Sequence, residues 1–346
     1  MRKYGRYLIA GLALGLLAFI AVTLLSDVEA LAKFAQTFPW WVLIPVLALR
    51  IANWGFRLAK WHFYLRLVGV RKLRLRDSAL VYFTGYPLAM SPGKAAEILK
   101  SFMIHHLDGT PIAVTLPVVA SERLSDGMAV LFLIAVSILS LSAYEYWPVV
   151  VISLGAMMIG IAVLQVRPLC FALLRVLKGL PLIGRYAHSF EQFYESSYKI
   201  VQLPNLLIAV GLGLFANVLD GVGVYLILLG MGQPPGPEVF FQALLVISLS
   251  VVAGALSGMP GSIGASDLTI TGSLQRLVGL GVSQAGFATL LIRFVQLWFG
   301  VFFGTVVAFI WRKRLFTPAL AASVEAHHAA QRAANAPQQA AQIAGD

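Results

Sequence analysis

The residues of this chain best placed to do chemistry are the few charged ones set inside apolar sequence. Two lysines and a glutamate lie in the stretch Gly85 to Lys100, GYPLAMSPGKAAEILK. Lys94, Glu97 and Lys100 recur at every third position, so on a helix they share one face and partly neutralise one another. Ser91 suits a helix N-cap, Pro92 a first turn and Gly93 a close backbone approach, so a helix is expected to end near Met90 and restart here. A restarted helix presents free N–H groups. With Lys94 one turn in, they make a site suited to an anion such as a phosphate.

Further charges lie in other apolar runs. Arg50, Asn53, Arg57 and Lys60 fall in Trp40 to Trp61, at spacings that put them on one helical stripe. Lys60 and Arg57 are placed to snorkel to the surface. Arg50 is near mid-span, where a charge costs about 2.5 to 3.5 kcal/mol on insertion scales, so it needs a neighbouring carboxylate or a lipid phosphate. In SERLSDG, Ser121 to Gly127, Glu122 and Asp126 share a face and Arg123 is spaced to pair with Asp126. These carboxylates fit a proton relay, a catalytic acid and base, or counter-ions for Arg50 and Arg57, and the last is the plainest reading. Asp220, with Asn217, sits inside the apolar run Leu203 to Gly230. Asp267 follows a second breaker stretch, Gly258 to Gly264 (GMPGSIG), and both acids join the counter-ion or relay candidates. Arg293 and Gln296 share a face of the last apolar run. Gly261 and Gly264, like Gly93, permit close approach and hinge motion.

Other chemistries lack their residues. His105 and His106 are adjacent, point to different helix faces and have no carboxylate cluster to complete a metal site. Cys170 is the single cysteine, so neither a disulfide framework nor a thiol cluster is expected. There is no P-loop, which argues against ATP as the driver, and no nucleophile motif. No cofactor is expected, and the chain reads as a non-enzyme.

The elements that must position these residues are membrane helices. The chain has 346 residues, 59% hydrophobic and 12% charged, with a mean hydropathy of +0.82. That composition describes an all-α polytopic membrane protein, and 31 glycines with 16 prolines point to broken or closely packed spans. The net charge of +11 raises nucleic acid as a partner. The dense basic loop Arg66, Arg71, Lys72, Arg74 and Arg76 has no interleaved aromatic residues for base stacking, however, and its juxtamembrane position accounts for it. Such clusters mark the cytoplasmic face and attract anionic headgroups.

Arg2, Lys3 and Arg6 precede an apolar run, Tyr7 to Leu25. It reads as an uncleaved anchor rather than a signal peptide, although Val28-Glu29-Ala30 faintly resembles a cleavage site. About six full spans are expected: Tyr7 to Leu25, Trp40 to Trp61, Pro111 to Leu141, Pro148 to Val166, Leu203 to Gly230 and Ala285 to Ile310. Two broken segments, Ser78 to Met103 and Val239 to Val278, read as re-entrant hairpins, the first having a kinked full span as its alternative. The membrane unit covers 1–316. Its halves, about 40–142 and 203–311, are joined by a cytoplasmic interfacial linker, 167–202, and 317–346 is a disordered tail. The halves repeat one order in opposite orientations, which is an inverted repeat, and both termini are expected in the cytoplasm.

Three motifs carry a resemblance to a known family. Pro92-Gly93-Lys94-Ala95-Ala96-Glu97 resembles a PG(R/K)xxE segment, Glu122-Arg123 with Asp126 an ER-x-x-D segment, and Pro260-Gly261-Ser262-Ile263-Gly264 a PGGxG segment. Their order resembles that of membrane proteins similar to the flippase domain of lysylphosphatidylglycerol synthase, over roughly Tyr7 to Arg314. The resemblance implies an inner-membrane protein of a bacterium or archaeon that moves lipids with charged or bulky headgroups between leaflets. Ser262 replaces a glycine of the pattern, and Asp267 stands where the family often has glutamate. The chain stops soon after Arg314, which leaves no room for a soluble aminoacyltransferase domain, so synthesis of the lipid is not implied.

The expected function is therefore a lipid flippase or transporter. The headgroup is expected to meet Ser91, Pro92, Gly93, Lys94, Glu97, Lys100, Arg50, Arg57, Arg123 and Arg293. Expected partners are membrane lipids, an anionic phospholipid or a lipid-linked substrate, with a separate lipid-modifying enzyme and a homo-oligomer as further candidates. Two alternatives stay open: an intramembrane transferase using Glu97 or Glu122 as base, and a non-transporting scaffold for an envelope-lipid enzyme.

Overall fold

Inside a bilayer no water satisfies backbone N–H and C=O groups, so apolar runs become helices and glycine and proline decide where those helices stop. The structure is a computed structural model that describes residues 28–88, 95–142, 144–165 and 187–315, and every regular element in them is helical. The expected anchor Tyr7 to Leu25, Cys170 and the expected tail lie outside the described residues.

An amphipathic α1 (Val28–Thr37) ends before Pro39, and a 3₁₀ turn, Trp40–Val42, leads into α2 (Leu43–Leu67). Next come α3 (Leu75–Leu88), α4 (Ala95–Asp108), α5 (Ile112–Leu141) and α6 (Trp147–Gln165). The second half holds α7 (Ala187–Val201), α8 (Leu203–Gly230) and α9 (Pro237–Ser257), then α10 (Ala265–Ser273), which runs on into a π turn, Leu274–Val278. Helix α11 (Val282–Arg293), a π turn Phe294–Trp298 and α12 (Phe299–Ile310) form one rod, followed by the short α13 (Arg312–Leu315).

Among the described residues, five helical stretches are long and apolar enough to cross a membrane: Trp40–Leu67, Ile112–Leu141, Leu203–Gly230, Pro237–Ser257 and Val282–Ile310. Four of them are expected full spans, and α6, with 19 residues, covers a fifth. The difference is α9, expected as the first limb of a re-entrant hairpin. It has 21 residues, about 31 Å at 1.5 Å per residue, which is enough to cross.

The antiparallel pair α2 and α8 forms the centre. Val46 faces Gly223, Asn53 donates to the Ala216 carbonyl, and Lys60 faces Gly213. Helix α5 lies beside this pair, with α6 antiparallel to it: Gly127 is beside Met157, and Ile138 packs with Val150. Helix α7 was expected as an interfacial linker. Its apolar face meets α5, α2 and α8, burying Tyr194, Ile200 and Val201.

The two hairpins open to opposite ends. In the first, α3 and α4 run antiparallel: Leu73 and Val81 cluster with Phe102, Met103 and Ile104, and Gly85 lies against Lys100. Its outer ends meet the basic end of the bundle, where Arg76 stacks 4.2 Å over Trp311 and Arg314 pairs with Asp77 at 2.7 Å. In the second, Gln242 on α9 donates to the Leu277 carbonyl at 2.8 Å, and Ser266 to the Ser250 carbonyl at 3.0 Å. Its outer ends cluster with Phe38 and Leu280 at the other end, where Phe34 and Phe38 cover Phe287. Opposite openings are what an inverted repeat requires.

Candidate functional site: a buried ion ladder between two hairpins

Spacings of three and four residues hold Arg50, Asn53, Arg57 and Lys60 on one stripe of α2, and that stripe faces α8 and α5. Asp220 on α8 takes Arg50 at 2.9 Å and lies 3.9 Å from Arg57. Asp126 on α5 takes Arg57 at 2.7 Å and is in closer contact still with Lys60. Cations and acids thus alternate from Arg50 through Asp220, Arg57 and Asp126 to Lys60. Two asparagines lock the rungs. Asn53 Oδ1 accepts from Arg57 Nε at 3.1 Å, and Asn217 Oδ1 accepts from Arg57 Nη2 at 3.2 Å. Arg50 Nη2 also donates to the Gln296 carbonyl at 2.7 Å. Gln296 lies in a π turn, whose wider winding turns a carbonyl away from the helix ladder.

Burial at this depth demands such pairing, since an ion out of water costs several kcal/mol unless a partner and hydrogen bonds compensate it. Lys60 is the extreme case, with 0% of its side chain exposed. It was expected to snorkel to the surface. It turns inward because Asp126 is within reach of its ammonium.

Each hairpin is tied to the span that follows it. Lys100 on α4 lies 3.7 Å from Glu122 on α5, with its ammonium 4.8 Å over the Trp61 ring and 5.0 Å over that of Tyr82. Arg293 on α11 holds Asp267 of α10 at 2.8 Å and donates to the Gly261 carbonyl at 3.0 Å. The other oxygen of Asp267 accepts the Gly264 N–H at 2.7 Å, at the start of α10. Gly264 holds φ +85, which a side chain would strain. Gln296 lies three residues beyond Arg293, and Glu122 one turn before Asp126, so each latch adjoins the ladder along one helix.

The expected site residues divide accordingly. Ser91, Pro92, Gly93 and Lys94 lie outside the described residues, as does the side chain of Glu97, whose backbone is in α4. Lys100 meets Glu122 of the next helix. Arg50, Arg57 and Arg293 are all engaged by acids, and Glu122, Asp126, Asp220 and Asp267 each face a cation. Arg123, expected inside the span, is exposed, because Glu122 and Asp126 take the inward face of α5. Gly261 and Gly264 stand at the tip of the second hairpin, both with positive φ. Sequence reasoning missed the Gln296 carbonyl and the aromatic pair Trp61 and Tyr82. Only the second had a signal, an aromatic residue directly after the charged stripe.

The fold and ladder define a polytopic α-helical membrane protein with two oppositely opening hairpins around a charged core. Residues 8–304 match the family model of the lysylphosphatidylglycerol synthase TM region. The chain belongs to that family, whose description ties it to membrane lipid. A search of curated proteins gives no match.

Proposed function

We infer that the protein moves lipids bearing anionic or modified headgroups between membrane leaflets. The observation that carries this reading is the ladder with its two latches. A polar route at mid-depth joins hairpins that open to opposite ends, and a lipid headgroup needs such a route to cross hydrocarbon. Family membership supports a lipid as the cargo. The basic end, with Arg66, Arg71, Lys72, Arg74 and Arg76, would face the cytoplasm of an inner membrane. The chain acts without catalysis in this reading, and any lipid-modifying enzyme is a separate partner.

The test is exchange of headgroup-labelled phospholipids in proteoliposomes of the full chain, beside Arg57→Gln and the Lys94→Ala/Glu97→Gln pair. Faster exchange that is lost in Arg57→Gln supports transport. Loss in the Lys94/Glu97 pair as well extends the route to the first hairpin tip. No acceleration with any lipid class, with or without a proton gradient, ends the reading.

A second reading has its own observation, the completeness of the pairing. Charges held by one another are what a scaffold for an envelope-lipid enzyme would need. Exchanging the partners Arg57 and Asp126 would then restore full function, whereas a transporter that uses the guanidinium stays impaired.

A further inference from the structure

The loop that leads into the first hairpin is held in one shape. Gly69, at φ +95, turns the chain after α2, and Val70 and Leu73 are buried in the cluster against which Trp311 also packs. Arg66 braces the loop from the end of α2 by donating to the Arg71 and Leu73 carbonyls. With Val70 and Leu73 turned in, Arg71, Lys72, Arg74, Leu75 and Arg76 are all exposed. Four cations are thus fixed on one surface, and the acid beside them, Asp77, is taken by Arg314. Residues 166–186 carry cations and no acid, so they offer no counter-ion.

Span ends set the depth of this surface. Leu67 ends the first of the five crossing stretches and Ile310 the last, so the loop and α13 lie at the level of lipid headgroups. Leu75, 57% exposed among the cations, suits insertion beside a headgroup and does not suit a nucleic acid. The first hairpin is fastened here too. Arg76 and Asp77 belong to the first turn of α3, and they reach the end of the α12 rod by two contacts. Arg76 stacks 4.2 Å over Trp311, and Asp77 meets Arg314, whose side chain is 47% exposed. Ion pairs so open to water hold weakly. Arg71, Lys72 and Arg74 precede α3, and Arg312 and Arg314 follow α12, so an anion shared among them tightens the joint.

We propose that anionic phospholipid of the surrounding leaflet binds this surface through its phosphates and clamps the start of the first hairpin. The lipid is a fastener here and not cargo, so the inference stands apart from the transport reading. It makes the first hairpin respond to leaflet charge and leaves the second indifferent, since Lys33 and Arg276 are the described cations of the opposite end.

The experiment places the full chain in nanodiscs of phosphatidylcholine, alone or with about one third phosphatidylglycerol, and reads backbone hydrogen exchange. Anionic lipid is expected to slow exchange across 75–88 about tenfold and to leave 265–278 unchanged. The triple variant Arg71→Gln/Lys72→Gln/Arg74→Gln, in which every replaced side chain is exposed, should lose that difference, and exposed Arg276→Gln should keep it. High salt should erase the difference in the parent chain, which tests the surface without any substitution. Equal exchange in the two bilayers overturns the proposal. So does a difference that survives the triple variant or high salt, or slowing that extends to both hairpins. Inorganic phosphate or a short RNA giving the same protection in neutral discs overturns the lipid assignment.

Discussion

The two hairpins share breaker chemistry but are fastened with opposite polarity. In the first, the hairpin supplies the cation, Lys100, and the following span the acid, Glu122, 3.7 Å apart. In the second, the hairpin supplies the acid, Asp267, and the following span the cation, Arg293, at 2.8 Å. The second clasp is also multiple, since Arg293 holds the Gly261 carbonyl and Asp267 caps its own helix start. A broken helix start is a ready anion site. In the second hairpin that site is filled from within by Asp267, whereas the first carries Lys94 there in its sequence. The two hairpins are thus fastened with opposite polarity, and both lean on one ladder.

The ladder sets the largest expected effect. Asp126→Ala strips a carboxylate from both Arg57 and the fully buried Lys60, and it is expected to cost about 3–5 kcal/mol, read by thermal unfolding in detergent. A cost near zero, as for an exposed pair, would show that the shared element does not hold the hairpins. Arg293→Ala should follow, at about 3 kcal/mol, with hydrogen exchange rising at 258–266. Arg293→Lys keeps the charge and loses one of the two contacts, so it falls between. Equal exchange in Arg293→Ala and the parent would remove the clasp from the comparison.

Packing separates the hairpins next. The first limb, α3, lies on the α11 rod and its continuation α12, where a Cβ at Gly304 would collide with the Phe83 carbonyl and the Pro87 ring. Gly304→Leu is expected to cost about 1–3 kcal/mol through overpacking. Exchange should rise across 75–88 and stay unchanged across 265–278. A rise in both would mean that the hairpins move as one body.

Much of this was legible before any coordinates. Pro111 and the run to Leu141 bound α5 within a residue, Leu203 to Gly230 bound α8, and the stripe at 50, 53, 57 and 60 is readable as one face. Counter-ions for Arg50 and Arg57 could be anticipated as a class, because buried charge demands them. Which acid meets which cation could not be read, since α2, α5 and α8 meet only through tertiary packing. The inward turn of Lys60 follows from that same packing, against the general tendency of lysine to snorkel. The π turns left no local signature, so the Gln296 carbonyl could not be anticipated. The exposure of Arg123 could not be read either, because only tertiary packing decides that the bundle buries the two flanking acids in preference to the arginine between them.

The smallest expected effect is the sharpest check on asymmetry. Lys100→Gln removes an ammonium that stands 3.7 Å from Glu122 with 13% of its side chain exposed, and glutamine still reaches toward the acid. What is lost is chiefly the attraction to the Trp61 and Tyr82 faces, so the cost should be about 1 kcal/mol. A double-mutant cycle with Trp61→Leu should return a coupling of similar size, about 1 kcal/mol, because Trp61 acts on Lys100 through its ring face. If Lys100→Gln proves as costly as Arg293→Ala, the two fastenings are equal in strength and differ in polarity alone. A cost of about 1 kcal/mol instead would make the first fastening the weaker of the two.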